Sequence, residues 1–172
     1  AAATAEPSPR PTARVPSARE RLAAVDAFPI EKDPCEIPVW TATLGATREQ
    51  GGTRGRTCRI GGATAMPFHL WEGEMPNRPL VAMEVFDLVS EKYPPVLREI
   101  YAGVLDDPAE MARVCVEDSG ADLISVRLEG THPEKGNRSP EQAVEVVQAV
   151  LEAVDVPLIV TGHNHFDTVN QV

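Results

Sequence analysis

Apolar and polar positions in the second half of the chain follow a strand, helix, strand, helix, strand order. The run LVAMEVF at 80–86 is short, apolar and preceded by prolines, which favours a buried strand. Similar runs at 123–128 and 157–161 predict two further strands. Loops of only a few residues between such elements are typical of parallel strands joined by right-handed crossovers. The pattern therefore predicts a β/α fold.

Capping residues and apolar spacing predict the two helices between these strands. Asp106 or Asp107 caps the first helix ahead of Pro108. The C-cap predicted for this helix is Gly120. Its apolar positions at helical spacing are Met111, Val114 and Cys115. Ser139 caps the second helix. The buried stripe predicted for that helix is Val144, Val147, Val150, Leu151 and Val154.

Two regions precede the first of these strands. Alternating segments at 39–43 and 57–60 surround a Gly-rich turn, which predicts a β-hairpin. Residues 1–38 are rich in Ala, Pro, Ser and Arg and contain few large apolar side chains. Such a segment buries too little surface to offset the entropy of ordering it. We therefore predict a disordered arm at 1–38 and a folded domain at 39–172.

The number of strands indicates which α/β fold this domain adopts. A complete TIM barrel, (β/α)₈, takes about 250 residues. This sequence supplies only about the first three β/α units, with FDTVNQV beginning a third helix, so we predict the N-terminal part of a TIM barrel from a longer protein. A doubly wound sheet is the alternative. Its Gly-rich phosphate turn after the first strand is missing, because FDLVSEKYPP contains no glycine.

Charge and cysteine content narrow the function classes. The formal net charge of −10 argues against a general nucleic-acid binder, since phosphate recognition needs clustered Lys and Arg. Cys35, Cys58 and Cys115 are widely spaced and form no CxxC pair, which fits reduced thiols in the cytoplasm. Neither a membrane span nor a secretory signal is recognisable. These features predict a cytoplasmic protein without nucleic-acid or membrane partners.

Polar residues occur where the predicted strands end, on the side at which α/β folds bind ligands. Glu84 and Asp87 follow the first strand, and Arg127 and Glu129 follow the second. Asn137 lies further along the second loop. By strand-end geometry alone, these residues are our candidates for groups at a cofactor-binding mouth. The alternative for each acidic residue is a structural role, as a helix cap or as an ion-pair partner of Arg127.

Two motifs have some features of ligand sites. His163 and His165 form an HxH pair that could ligate a metal from one face of a strand, but one pair supplies too few ligands. We interpret them as hydrogen-bonding or surface histidines and predict no metal site. The segment GATREQGGTRGRT lacks the GxxxxGK[ST] order and a following helix, so its glycines are interpreted as turn formers rather than as a phosphate-binding loop.

The segment PFHLWEGEMPNRP places several polar groups directly before the first strand. His69, Glu72 and Glu74 could suggest acid/base chemistry, which needs a proton acceptor near a reacting group. Residues at the amino-terminal face of a barrel usually serve stability instead. On that interpretation, which we favour, Pro67, Phe68 and Trp71 plug the bottom of the barrel, and the polar groups anchor the irregular backbone.

Several motifs, taken in order, resemble one protein family. They are LGATREQGGTR, IGGATAMPFHLWEGEMPNRP, AMEVFD, GADLISVRLEGTHPEKGNRSPEQ and AVDVPLIV, and they run from about Val39 to Gly162 without a large gap. Together they resemble the delta subunit of acetyl-CoA decarbonylase/synthase, equivalently the small subunit of the corrinoid iron-sulfur protein. The ordered set of motifs is far more specific than any one of them.

The resemblance implies a TIM barrel that forms a heterodimer with a large corrinoid iron-sulfur subunit. The pair carries a methyl group on cobalamin between a methyltetrahydropterin methyltransferase and acetyl-CoA synthase, both transient partners, in the Wood-Ljungdahl pathway of anaerobic one-carbon metabolism. The family has no established catalytic acid or base to transfer onto this sequence, which implies that the chain is not a catalyst by itself. The sequence also has no cysteine cluster for an iron-sulfur centre and no DxHxxG cobalamin motif. Both groups are therefore expected on the partner.

Two alternatives remain open from the sequence. A pterin-dependent methyltransferase could act through the barrel itself, with Asp87 or Asp122 binding the guanidine-like edge of the pterin. Asp122 precedes the second strand and is expected at the opposite end, which weakens this hypothesis. A half-barrel completed by another polypeptide is the second alternative.

Overall fold

The computed structural model describes residues 17–23, 31–33, 35–90 and 92–165, and the chain divides into units 1–33 and 34–172. The first unit contains helix α1, Ala18–Ala23. Ser17 and Glu20 cap it reciprocally, each side chain accepting from the backbone N–H of the other residue. This helix lies within the predicted arm and was not expected. The remainder of the arm at 1–16 and 24–30, and the expected helix start at 166–172, lie outside the described residues.

Three parallel strands form the main sheet of the second unit. They are β3 at Ala82–Phe86, β4 at Leu123–Arg127 and β5 at Leu158–Thr161, in the order β3-β4-β5. The pairing register places Phe86 beside Arg127 and Arg127 beside Thr161, so one row crosses all three strands near their carboxyl ends. The predicted parallel β/α order is confirmed, with strand bounds within two residues of expectation.

Two helices follow the first two parallel strands, and their caps explain where they begin. Helix α3 spans Pro108–Glu117, and the Asp107 carboxylate accepts from two backbone N–H groups of its first turn. Helix α4 spans Pro140–Ala153, with Ser139 and Gln142 forming a capping box. The predicted start of each helix is confirmed. Local side-chain chemistry is sufficient for this prediction because it satisfies the exposed N–H groups of the first turn.

The sequence was less accurate at helix ends. The C-cap of α3 is Asp118, and the predicted cap Gly120 instead adopts a left-handed conformation, with φ of 69°, in the turn into β4. A short helix α2, Pro95–Ile100, also lies between β3 and α3 and was not predicted. Its six residues are too few to show a clear apolar period. Within the described ranges, no helix has the length and apolar character needed to cross a lipid bilayer.

The core lies between one face of the sheet and helices α3 and α4. Its largest fully buried side chains are Met111, Ile124, Leu128, Val85, Val126, Val150, Val156, Pro157 and Cys115. Burial of this kind is the main stabilising contribution to folding, at about 25 cal/mol per Å² of apolar surface. The predicted stripe on α4 was wrong at its start, because Val144 is exposed and Ala143 is buried in its place. Ala143, Val150 and Val154 share the inward face at helical spacing.

A separate layer, residues 35–79, covers the amino ends of the parallel strands and is called the amino-end layer here. It contains β1 at Ala42–Leu44 and β2 at Cys58–Ile60, which pair antiparallel and confirm the hairpin. Their connection is longer than a tight turn and includes a 3₁₀ turn at Arg48–Gln50. Gly51 follows it with a left-handed φ of 81°, which agrees with the interpretation of these glycines as turn formers.

Arginines attach the amino-end layer to the rest of the unit. Buried Arg54 donates from Nη1 to the Val154 carbonyl at 2.6 Å and from Nη2 to the Leu151 carbonyl at 2.8 Å. These carbonyls lie at the end of α4, where such groups lack partners within the helix. Arg56 donates to the Ala121 carbonyl at 3.2 Å, just before β4. The hairpin connection therefore caps the end of α4 and contacts the chain at the amino end of β4.

The segment before β3 has polar anchors but no buried plug. His69 Nδ1 lies 3.1 Å from a Glu72 carboxylate oxygen, and its ring stacks on Trp71 with centroids 4.8 Å apart. Asn77 donates to the Gly61 carbonyl at 2.9 Å. These contacts agree with a structural role for the polar residues. Phe68 and Trp71 are exposed in the described part of the chain, so the structure does not show the expected plug.

Candidate functional site

The carboxyl ends of the three parallel strands bring polar side chains from three loops to one edge of the sheet. This set, called the carboxyl-end cluster, comprises Glu84, Asp87, Arg127, Glu129, His132, Lys135, Arg138, His163 and His165. The convergence occurs because parallel strands all end on the same side. Four of the five predicted site residues belong to it. The fifth, Asn137, is exposed on the loop after β4 with a left-handed φ of 47°.

A chain of ion pairs crosses from β3 to the loop after β4. Arg127 Nη1 lies 3.3 Å from the Glu84 carboxylate, and Arg127 Nε donates to Glu129 at 2.8 Å. The ammonium of Lys135 binds the other carboxylate oxygen of Glu129. The Lys135 hydrogen bond is the largest cause of a lowered pKa at Glu129, and burial acts in the opposite direction. Glu129 is therefore an ionised acceptor at neutral pH rather than a proton donor.

Asp87 lies beneath this chain of ion pairs and not at its surface. Its Oδ1 accepts from the Gly130 N–H at 2.8 Å. Arg138 Nη1 donates to the Asp87 backbone carbonyl at 2.9 Å and lies 3.3 Å from Oδ2. The Asp87 side chain is 0% exposed. Its proposed contact with a cofactor stays a prediction, but in this structure both carboxylate oxygens already contact groups of the protein.

Three histidines lie together beside these ion pairs. His132 contacts both members of the predicted HxH pair, with ring centroids 5.3 Å from His163 and 5.4 Å from His165. Burial is the largest cause of a lowered pKa at His163, and the two neighbouring imidazoles act in the same direction. Its Nδ1 accepts from the His165 backbone N–H at 3.0 Å. Among the described residues, no group of three or more His, Cys, Asp or Glu is arranged to hold a metal ion.

An open cavity of about 750 Å³ adjoins the carboxyl-end cluster and is called the carboxyl-end cavity here. One part of its wall is apolar and consists of Phe86, Leu88 and Val89. The polar part consists of Ser90, Lys92, Arg127, Glu129, Glu134 and Lys135. An apolar wall with a few ionised groups is typical of a site that holds and orients a ligand. Paired carboxylates are less suited to proton transfer, which needs a group titrating near the working pH.

The sequence missed His132, Lys135 and Arg138. All three lie in the quoted segment RLEGTHPEKGNRSPEQ, but their contacts depend on how the loop folds back. One signal was available for Arg138, because a buried carboxylate after a core strand requires a cationic or N–H partner. No comparable rule predicts that Lys135 rather than Lys92 binds Glu129, or that His132 contacts the HxH pair.

Asp122 lies at the opposite end of the sheet, as the sequence predicted. Both of its carboxylate oxygens bind the Arg78 guanidinium, one of them at 2.8 Å from Nη1. Oδ2 also accepts from the Val81 N–H at 3.0 Å. The Arg78 hydrogen bond, followed by the Val81 N–H, lowers the pKa of Asp122 from 3.8 to about 2. Asp122 anchors the amino-end layer and is remote from the carboxyl-end cavity.

Comparison with known proteins decides the family. Residues 43–169 match the family model described as CO dehydrogenase/acetyl-CoA synthase delta subunit. The chain belongs to this family. The resemblance inferred from the ordered motifs is thereby confirmed.

Individual delta subunits show how much of such a protein the chain represents. It is 34% identical to the acetyl-CoA decarbonylase/synthase complex subunit delta of Methanocaldococcus jannaschii over 134 residues, which are 78% of this chain and 32% of that protein. The Archaeoglobus fulgidus subunit is 35% identical over 159 residues, 90% of this chain and 35% of that protein. The Methanopyrus kandleri subunit is 39% identical over 120 residues, which are 69% of this chain and 29% of that protein. The chain spans about a third of the length of these curated relatives.

Proposed function

We propose that this chain is part of a subunit that helps carry a methyl group on a corrinoid held mainly by a larger partner subunit. The observation that carries the proposal is membership of the delta-subunit family, whose relatives are named as subunits of a complex. The larger partner supplies the cobalamin and an iron-sulfur cluster. The methyl group passes between a methyltetrahydropterin methyltransferase and acetyl-CoA synthase in the Wood-Ljungdahl pathway. The described chain acts as a covering surface and not as a catalyst by itself.

The proposed architecture is a TIM barrel of which this chain contributes the first three parallel strands. Ile159 and Val160 on β5 are 41% and 54% exposed, although large apolar side chains on a strand usually pack against neighbouring elements. The relatives are also about three times as long as the matched region. Both observations support further β/α units beside β5. The three free cysteines support a cytoplasmic location.

The carboxyl-end cavity has the chemistry expected for covering a corrinoid. A corrin is a broad ring with a largely apolar face and a rim of amide side chains. The wall formed by Phe86, Leu88 and Val89 suits that face, and the ionised groups of Arg127 and Glu129 suit amide oxygens and N–H groups. When bound, the corrinoid supplies the methyl-carrying metal atom. The residues of this chain would hold it in place and exclude water.

Binding to a corrinoid-carrying partner tests the proposal. The full-length protein that contains this chain is mixed with the purified large subunit, with and without its corrinoid, and complex formation is measured by analytical ultracentrifugation. We expect a heterodimer, a stronger interaction when the corrinoid is present, and a change in the corrinoid visible spectrum. Failure to form a complex with either form of the partner would contradict the proposal.

The alternative, a pterin-dependent methyltransferase, has less support from the geometry. It requires an accessible carboxylate for the guanidine-like edge of the pterin. Asp122 binds Arg78 at the amino end of the sheet, and Asp87 is enclosed beneath Gly130. Saturable binding of methyltetrahydrofolate by the full-length protein without its partner would favour this alternative. The same titration is repeated with the partner present. Binding of methyltetrahydrofolate only when the partner is present would favour the subunit function, because the partner is then needed for the site.

A further inference from the structure

The loop after β4, residues 128–138, is held against β3 by one buried side chain. Asp87 is the first residue after β3, and its Oδ1 accepts from the Gly130 N–H at 2.8 Å, near the start of the loop. Arg138, at the end of the loop, donates to the Asp87 carbonyl at 2.9 Å and lies 3.3 Å from Oδ2. A single carboxylate thus joins both ends of the loop to the preceding strand. Its charge is compensated because it is buried with an arginine and an N–H donor.

Two glycines of the loop, Gly130 and Gly136, lie very close to neighbouring atoms at this contact. A Cβ atom at Gly130 would lie 2.5 Å from Asp87 Oδ2 and 2.9 Å from Arg138 Cδ. A Cβ atom at Gly136 would lie 2.5 Å from the Gly130 carbonyl oxygen. The Arg138 N–H also donates to that same carbonyl at 2.9 Å. The two ends of the loop therefore meet directly above Asp87. A Cβ atom at Gly136 would force the backbone to shift, whereas one at Gly130 would displace the side chains of Asp87 and Arg138.

The loop carries side chains of the carboxyl-end cluster at positions next to these contacts. Glu129 directly precedes Gly130, and Lys135 directly precedes Gly136. Their side chains bind each other and line the carboxyl-end cavity. His132, between them, contacts His163 and His165 from the loop after β5. A shift of the loop would therefore move all of these groups together.

We propose that Asp87 is a positioning residue that fixes the loop after β4, so that Glu129 and Lys135 stand at the carboxyl-end cavity and His132 stays against His163 and His165. That this cavity covers a corrinoid rests on the function proposed above. In this proposal Asp87 acts without touching the ligand, since its side chain has no exposed area and both oxygens contact groups of the protein. Its effect on binding passes through the loop.

The first test measures the position of the loop in the full-length protein without any partner. Asp87→Asn retains one oxygen for the Gly130 N–H but removes the charge that faces Arg138. Asp122→Asn is the matched control, since it removes a buried, arginine-paired carboxylate at the other end of the sheet. We expect amide exchange across 129–138 to rise about tenfold in Asp87→Asn only. The pKa of Glu129, followed by carboxyl NMR, should rise in that variant because the shifted loop carries Glu129 away from Arg127 on β4.

An unchanged Glu129 titration and unchanged exchange in Asp87→Asn would overturn the inference. A residue that merely contributes to global stability would not change the Glu129 titration at a temperature where the protein is folded. Gly130→Ala provides an independent second variant, because its Cβ would displace the Asp87 carboxylate without removing any charge. If Asp87→Asn does not fold, Gly130→Ala is measured instead. The inference then predicts faster amide exchange across 129–138 and a raised Glu129 pKa in Gly130→Ala, and it is overturned if neither changes.

The second test measures affinity for the corrinoid-loaded large subunit while all variants are folded, as monitored by near-ultraviolet circular dichroism. We expect the Kd to rise about tenfold in Asp87→Asn and less than about twofold in Asp122→Asn. Equal weakening by both variants would overturn the inference. If the unmodified protein does not bind this partner, the proposed function fails, whereas exchange and Glu129 titration still decide whether Asp87 positions the loop.

Discussion

The two ends of the parallel sheet contain the same chemical unit in different surroundings. At the carboxyl end, Asp87 accepts from the Gly130 N–H and pairs with Arg138. At the amino end, Asp122 accepts from the Val81 N–H and pairs with an arginine of the amino-end layer. Both aspartates are buried. The two aspartate–arginine pairs differ mainly in which parts of the chain the arginine connects and in how exposed the arginine side chain is to water.

This difference gives the two pairs different roles, because the Asp122 pair attaches a layer and the Asp87 pair holds the loop beside the carboxyl-end cavity. The side chain of Arg78 at the amino end is 66% exposed, whereas that of Arg138 at the carboxyl end is 32% exposed. Arg78 can regain water if its partner is removed, so the Asp122 unit acts as a surface anchor. Arg138 lies in the loop whose Glu129 and Lys135 line the carboxyl-end cavity, and it has less access to water. The same ion pair can therefore attach a layer at one end and shape a site at the other.

The largest effect is expected from removal of the Asp87 carboxylate. Asp87→Ala should lower the free energy of unfolding by about 3 to 5 kcal/mol, because a partly buried arginine loses its carboxylate and the Gly130 N–H loses its acceptor. Urea unfolding of the full-length protein measures the loss. Asp122→Ala serves as the comparison and should cost less, since Arg78 is more exposed. Equal losses would show that solvent access does not distinguish the two ends.

A smaller loss is expected from the buried arginine of the amino-end layer. Arg54→Ala should lower the free energy of unfolding by about 2 to 3 kcal/mol, because the last carbonyls of α4 lose a charged donor. Exposed Arg48 in the same layer offers a matched control, for which a change of less than about 0.5 kcal/mol is expected. Thermal unfolding measures both variants. Similar shifts in Tm would argue against the α4 capping contact.

Acid should distinguish the amino end through Asp122. The pKa of Asp122 is lowered from 3.8 to about 2 in the folded protein, first by Arg78 and then by the Val81 N–H. Its contribution to stability is therefore complete above pH 3.8 and is lost as the pH falls towards 2. Asp122→Asn should reduce the pH dependence of unfolding within that window and leave neutral pH dependence unchanged. An identical acid profile in both proteins would contradict this assignment.

The smallest effect is expected at the surface of the carboxyl-end cluster. Lys135→Met should change the free energy of unfolding by only about 0.2 to 1 kcal/mol, because Lys135 is half-exposed and solvent screens its charge. The pKa of Glu129 should nevertheless rise, since the Lys135 hydrogen bond is the largest cause of its lowered value. Carboxyl NMR titration measures that change. Lys92→Met is the control, and it should leave Glu129 unaffected.

Local chemistry accounts for the parts of the fold that the sequence predicted well. Asp107 and Ser139 satisfy N–H groups within their own first turns, so each helix start depends on residues a few positions apart. The three strands follow from short apolar runs in the same way. Val144 was misplaced because Val144 and its neighbour Ala143 fit a helical stripe almost equally well. Only packing against α3 and the rest of the core determines which side of α4 faces inward.

The sequence by itself determined the three parallel strands, helices α3 and α4, the hairpin, the family and the edge of the sheet at which the candidate site lies. Tertiary structure decided which charges meet there. Glu84 and Arg127 are 43 residues apart and Asp87 and Arg138 are 51 apart, so no local pattern relates them. Their pairing depends on strand register and on the return of the loop after β4 to Asp87. Burial then places the Asp87 carboxylate between Gly130 and Arg138, because a carboxylate removed from water must be enclosed by its own donors.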